Sequence, residues 1–151
     1  MQEIKILEEN FEKALRKSPE LRRKAMELAT KRAHQTVHTS IGGKLNDSHG
    51  KIAGWQVIRL GSKGGYGVVK ATNTSSGANS PGAITNYLEH GHKIREPKKR
   101  GAKGYRPRIH TASVNGRWFY RVVAADVNRI TLDAANEVCK GIADIIEGKN
   151  V

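Results

Sequence analysis

The 151-residue sequence predicts an α+β domain: a small antiparallel sheet packed against N-terminal helices and a long C-terminal helix, with a long basic loop. Three observations predict it. Apolar residues keep helical spacing at both ends of the chain, two β-prone runs flank a glycine-rich link, and a Gly/Pro-broken cationic tract has almost nothing to bury.

At the N-terminus, Ile4, Leu7, Phe11, Ala14 and Leu15 recur at three- and four-residue steps and form one apolar stripe. Ser18-Pro19 then interrupts, because proline disfavours a helical conformation in the residue before it. Ser18 can instead cap a second helix with Pro19 as its first residue, so the junction is either a break or a kink. Leu21, Ala25, Leu28, Ala29, Ala33 and Val37 continue the pattern, giving a helical region over 1–38.

A polar link over 39–51 leads into a sheet region over 53–123. Trp55, Val57 and Arg59 alternate with Gln56, Ile58 and Leu60, and a second β-prone run covers Tyr66 to Thr72. The five residues Gly61-Ser62-Lys63-Gly64-Gly65 suit a hairpin connection. Thr72 to Gly82 is loop by composition, Ala83 to His90 is a helical turn or a strand, and Arg117 to Val123 is a strand or the lead-in to a helix. Val127, Ile130, Ala134, Val138, Ile142 and Ile145 then define a helix over 126–147, with Asp126 as its cap and Gly148 as its stop. Gly141 inside it costs about 1 kcal/mol relative to Ala, which predicts close packing against a neighbour. No repeat or boundary divides the chain, so residues 1–151 read as one domain.

The net charge of +13 is unevenly spread. Residues 93–123 carry 10 Lys/Arg against 1 Asp/Glu, while residues 124–151 carry 3 against 5. So local a field suits a polyanion or an acidic protein surface. No apolar run approaches the roughly 18 residues that cross a bilayer, and the start MQEIKILEENFEK lacks signal-peptide character, so a soluble protein made in a cytoplasm is expected, with no membrane partner. The single cysteine, Cys139, excludes an internal disulfide and a cysteine-based zinc site, and its apolar helical neighbours predict an inert core position.

Candidate chemistry is sparse. His34 and His38 have the spacing of a metal-binding pair, but a zinc-protease helix needs Glu after the first His, and Gln35 stands there. Exposed histidines near a helix end are the expectation. His90 and His92 flank Gly91, yet Asp47 and Glu89 are the only acids between residues 41 and 92, too few for two-metal or general acid–base chemistry. Gly91 reads instead as a tight turn at positive φ with both histidines at its surface. The glycines of GSKGGYG match neither phosphate-binding fingerprint and precede no helix. No catalytic residue, metal or cofactor is assigned. The residues assigned to interaction with a partner or DNA are Lys93, Arg95, Lys98, Lys99, Arg100, Lys103, Tyr105, Arg106 and Arg108, all in the basic loop over 93–108. No sequence-specific DNA- or RNA-binding signature accompanies them, so any nucleic-acid contact would be electrostatic and non-specific.

The order of these features resembles the minor tail-component or head–tail joining (tail completion) proteins of long-tailed double-stranded DNA bacteriophages and prophages. The resemblance rests on a helical N-terminus, the sheet segment Tyr66-Gly67-Val68-Val69, and YLEHGHKIR followed by a basic connection to an amphipathic helix. Within it, Tyr87, Glu89, Gly91 and His92 match a family Tyr-x-Glu-x-Gly-His/Thr step. The chain departs at Gly116-Arg117-Trp118-Phe119, where many relatives have a Gly-Arg-Pro-Phe-like entry to the last helix. The resemblance implies a structural virion protein at the neck, assembled in a host bacterial cytoplasm. Its partners would be neighbouring neck and tail proteins, the connector or stopper and the tail terminator. It also implies a homo-oligomer in the particle, a six-fold ring among its forms, with non-specific contact with packaged DNA open to the basic loop.

Overall fold

The computed structural model describes residues 2–93 and 113–149. Of the interaction residues assigned above, Lys93 is among them. Arg95, Lys98, Lys99, Arg100, Lys103, Tyr105, Arg106 and Arg108 lie outside the described residues.

One helix, α1 (Gln2–Lys44), runs without interruption through Pro19. The two-helix alternative is therefore not what the chain adopts. Pro19 removes one hydrogen bond to the carbonyl four residues back, that of the exposed Leu15, where water is at hand. Packing on both sides of the proline outweighs that loss. Asn10 donates its side-chain N–H to the Ile146 carbonyl at 3.2 Å, and Leu21 lies against Gly141.

Both contacts are made with α4 (Phe119–Ile146), which lies antiparallel to α1. Between the two helices sits a cluster of three alanines and one isoleucine, Ala25, Ala29, Ala134 and Ile130, flanked by Ala33 and Val138. Gly141 is buried, and a Cβ there would stand 3.2 Å from the Leu21 side chain, as its close packing predicted. Gly148, at φ 79°, ends the helix as expected. Its N–H donates to the Ile145 carbonyl and that of Lys149 to the Asp144 carbonyl, which together satisfy two terminal acceptors. Cys139, in contrast, is exposed: Val138 takes the α1-facing position and the next residue turns away from it.

Between the long helices come α2 (Lys51–Gly54), β1 (Gln56–Leu60), β2 (Gly67–Ala71), α3 (Pro81–His90), β3 (Gly91–Lys93) and β4 (Ser113–Asn115). The strands make two separate antiparallel ribbons. In the first, β1 pairs with β2 from Gln56↔Ala71 to Leu60↔Gly67, closed by a 3₁₀ turn at Ser62–Gly64, so the predicted hairpin is present. It lies directly on α1: a Cβ at Gly67 would sit 1.8 Å from the Thr30 hydroxyl, so no other residue fits there without displacing the strand. The second ribbon pairs Gly91↔Asn115, His92↔Val114 and Lys93↔Ser113.

Residues 83–90 belong to a helix rather than a strand. Ser80 caps it, its hydroxyl accepting from the Ala83 N–H at 3.2 Å, with Pro81 in the first turn. Residues 117–123 are the lead-in and first turn of α4. That helix begins at Phe119, seven residues before the cap position predicted at Asp126, which instead pairs with Arg129 at 2.8 Å. The main core lies where these elements meet. Val37, Ile41 and Phe119 are fully buried among Leu45, Ile52, Val69, Leu88 and Val123.

Phe119 closes this core from the first turn of α4. Phe119→Ala is expected to destabilise the protein by about 4 kcal/mol, the usual loss on truncating a buried phenylalanine. Urea denaturation measures it, and a loss below about 1 kcal/mol contradicts this packing.

Candidate functional site

The two ends of the basic segment are fixed by β3 and β4. Residues 94–112 join them and carry seven Lys/Arg against one Glu. The stem is closed further by two backbone hydrogen bonds, from the Arg117 N–H to the Leu88 carbonyl at 2.8 Å and from the Trp118 N–H to the Glu89 carbonyl at 3.2 Å. Two glycines let the strands approach this closely. Gly91 adopts φ 79° and a Cβ there would meet the Val114 carbonyl at 2.3 Å, while one at Gly116 would meet the Glu89 carbonyl at the same distance. The tight turn expected at Gly91 is present, and both His90 and His92 are exposed beside it.

Glu89 joins this stem to α4. Its side chain is buried, and one carboxylate oxygen accepts from the Tyr120 backbone N–H at 3.1 Å. Trp118, the residue preceding α4, offers no side-chain cap and holds a left-handed conformation at φ 53°. Glu89 thus supplies from α3 the acceptor that a local Ser, Thr or Asp would normally supply, and its negative charge lies at the positive end of the helix dipole. Each member of the Tyr-x-Glu-x-Gly-His step accordingly has a place. Glu89 caps α4, Gly91 makes the turn, and the rings of Tyr87 and His92 meet at the surface with centroids 5.4 Å apart.

Behind Glu89 lies a polar network that the sequence did not reveal. Gln56 is buried, its amide N–H donating to the Ile52 carbonyl at 2.9 Å and lying 3.5 Å from the Thr85 hydroxyl. Its amide oxygen accepts from the Tyr120 hydroxyl. Burial, reinforced by the Glu89 carboxylate, pushes the Tyr120 phenol up to about 12. This keeps the phenol neutral and donating at any ordinary pH.

His34 reaches the same network, its Nε2 at 2.8 Å from the Gln56 carbonyl. Since a carbonyl can only accept, Nε2 carries the proton. The expectation of exposed histidines at 34 and 38 is therefore corrected: both are half-buried, with ring centroids 4.2 Å apart. Burial, and secondarily the neighbouring His34, lowers the His38 pKa below its ordinary value. Among the described residues no group of three His, Cys, Asp or Glu is placed to hold a metal ion, and no helix is long and apolar enough to cross a membrane.

On the outer side of the stem, Trp118 is exposed. The His90 ring meets it edge-on at 5.3 Å and the Arg121 guanidinium lies over it at 5.3 Å. The Lys44 ammonium donates to the Trp118 carbonyl at 2.8 Å, tying this corner to the end of α1. The groove here is lined by His90, His92, Lys93, Val114, Asn115 and Trp118, and no carboxylate lines it among the described residues. Compared with known proteins, the chain matches no family model, no curated protein and no solved structure.

Glu89→Ala is expected to destabilise the fold by about 2 kcal/mol, since it removes a helix cap and leaves the half-buried Tyr120 N–H unpaired. Glu89→Gln, which keeps an acceptor, is expected to lose less, and equal losses in a denaturation comparison contradict the capping role. The lowered His38 pKa gives a second expectation. Below the ordinary value of 6.5 the unfolded chain binds a proton that the folded chain resists, so stability falls as pH drops from 6.5 toward the lower folded pKa. Melting temperatures between pH 7 and pH 5 check this: His38→Gln should flatten the slope, and an unchanged slope contradicts it.

Proposed function

We propose that this protein is a structural component of the head–tail interface of a long-tailed double-stranded DNA bacteriophage, completing or joining the tail at the capsid connector. On this reading it is not an enzyme. It works in the neck as a homo-oligomer between connector or stopper proteins and the tail terminator. The observation that carries the reading is how the basic segment is mounted. A stretch dense in positive charge and poor in residues that could form a core is held at both ends by a stem fixed to the longest buried helix pair. Such a mount orients a charged segment toward a neighbour without demanding that the body deform. The order of features shared with the tail-completion family supports the same role.

The segment's charge density favours a second reading, non-specific nucleic-acid binding. On duplex DNA about six phosphate contacts would give a log affinity that falls with log salt at a slope near −5. A protein partner reached through fewer ion pairs would give a shallower slope.

Deleting residues 96–104 is expected to leave the circular dichroism and thermal stability of the purified protein unchanged while particles accumulate as separate heads and tails. A normal yield of joined particles contradicts the proposal.

A further inference from the structure

The charged residues of α4 between Val122 and Ile146 are Asp126, Arg129, Asp133, Glu137, Lys140 and Asp144. Their steps of three and four residues set all of them on one flank of the helix. The buried row of the same helix holds Ile130, Ala134, Gly141 and Ile145. A third row faces outward at the same helical steps and carries no charge: Ala124, Asn128, Leu132, Ala135, Cys139 and Ala143. Every one of these is exposed, Leu132 at 61%. In a chain of which 27% is charged, an uncharged outward face about 37 Å long departs from the polar pattern of a solvated helix surface. Its centre is clear of the stem, since Leu132 stands 13 residues into α4, about 20 Å from the helix start.

The charged flank identifies what covers this face. A second copy laid antiparallel about a two-fold axis brings the two charged flanks together on one side, whereas a parallel two-fold sets them on opposite sides. In one antiparallel register Asp126 meets the partner's Lys140 and Arg129 meets the partner's Glu137, each twice by symmetry. The like-charged meeting, Asp133 with its own copy at the axis, is offset by Arg129, which already acts on Asp133 within each chain. The same register, to within one residue, sets Leu132 over the partner's Ala135, Asn128 over the partner's Cys139 and Ala124 over the partner's Ala143. Large meets small at the centre, and alanine meets alanine where the backbones approach. A face that matches itself in both size and sign is what an isologous contact requires. The intrachain pairs of Arg129 with Asp126 at 2.8 Å and of Arg32 with Glu137 at 3.0 Å are exposed and compete for the same charges, so ionic contacts set the register more than the strength.

We propose that the outward face of α4 is a homodimer interface, covered by the same face of a second copy running antiparallel across Leu132. A single helix pair buries an area at the low end for specific contacts, so the dimer is reversible. Its two α4 starts lie at opposite ends, about 42 Å apart, and each end therefore carries one basic segment. The inference goes beyond the neck assignment and does not rest on it. A two-fold contact closes at two copies, and its test needs only purified protein, so the failure of one reading leaves the other standing.

Sedimentation velocity and cross-linking of the full chain test it. The wild-type protein should pass from monomer to dimer between about 1 µM and about 1 mM. Leu132→Glu changes an exposed residue, so circular dichroism and melting temperature should be unchanged. Its dimer dissociation constant should rise about a hundredfold or more, because a carboxylate would be buried at the seam without a partner. Asn128→Cys tests the register against the native Cys139. Mild oxidation should give a covalent dimer whose bridges, mapped by mass spectrometry, join residue 128 of one chain to residue 139 of the other. The oxidised wild-type protein should stay uncross-linked, since its two Cys139 side chains would lie about 16 Å apart along the seam, beyond the reach of a disulfide. The proposal is overturned if the wild-type protein is monomeric up to about 1 mM, too weak for a specific contact. It is also overturned if Leu132→Glu dimerises as tightly as the wild type, or if oxidation joins like positions or joins nothing. Should Leu132→Glu not fold, the cross-link decides the matter alone.

Discussion

The structure depends on a carboxylate placed against the start of a helix. Without Glu89, the first turn of α4 has an unpaired, half-buried N–H at Tyr120, and Trp118 offers no side chain to satisfy it. With Glu89, the end of α3, the stem of the basic segment and the start of α4 become one unit. The same residue contributes through its backbone, its carbonyl accepting from Trp118 at the base of the stem. One side chain and one carbonyl therefore set where α4 begins and where the charged segment emerges.

The rest of the core follows from that junction. Because α4 starts at Phe119, that ring enters the space between α1, α2 and α3 and is fully buried there. From this corner α4 runs back along α1 over alanines and Gly141, small residues that let the two backbones come close. The β1–β2 ribbon lies on the same helix, at Thr30 and Gly67. Beneath the junction, Gln56 collects contacts from Tyr120, Thr85, Ile52 and His34, while the buried His38 Nε2 beside them has no hydrogen-bond partner among the described residues. The charged segment is rooted at the end of this antiparallel helix pair where α4 begins.

Much of this was legible in the sequence where the signal is local. Helical spacing gave α1 and the body of α4, and the glycine-rich link gave the β1–β2 hairpin. The cost of a mid-helix glycine pointed to the contact made at Gly141. The misreadings came from long-range causes. The start of α4 was placed seven residues late because its cap is Glu89, thirty residues back along the chain and carried by a different helix. Pro19 was read as an interruption because the compensating packing comes from α4. Apolar neighbours in sequence suggest a core position for Cys139, but they do not say which way a helix turns, and it is exposed. Nothing in the alternation of β1 marks Gln56 as buried, nor does any motif pair it with Tyr120. The motif residues were found, but only the fold explains their order: cap, turn and surface ring pair within six positions.

On the proposed reading, the cationic segment mounted on the β3–β4 stem grips a macromolecular neighbour in an assembled particle. Cryo-electron microscopy of purified particles tests it most directly. The account predicts density for this chain at the neck, with the β3–β4 stem pointing into an adjoining subunit or the DNA channel. Particles that lack the chain, or that hold it with the stem facing open solvent, would contradict it.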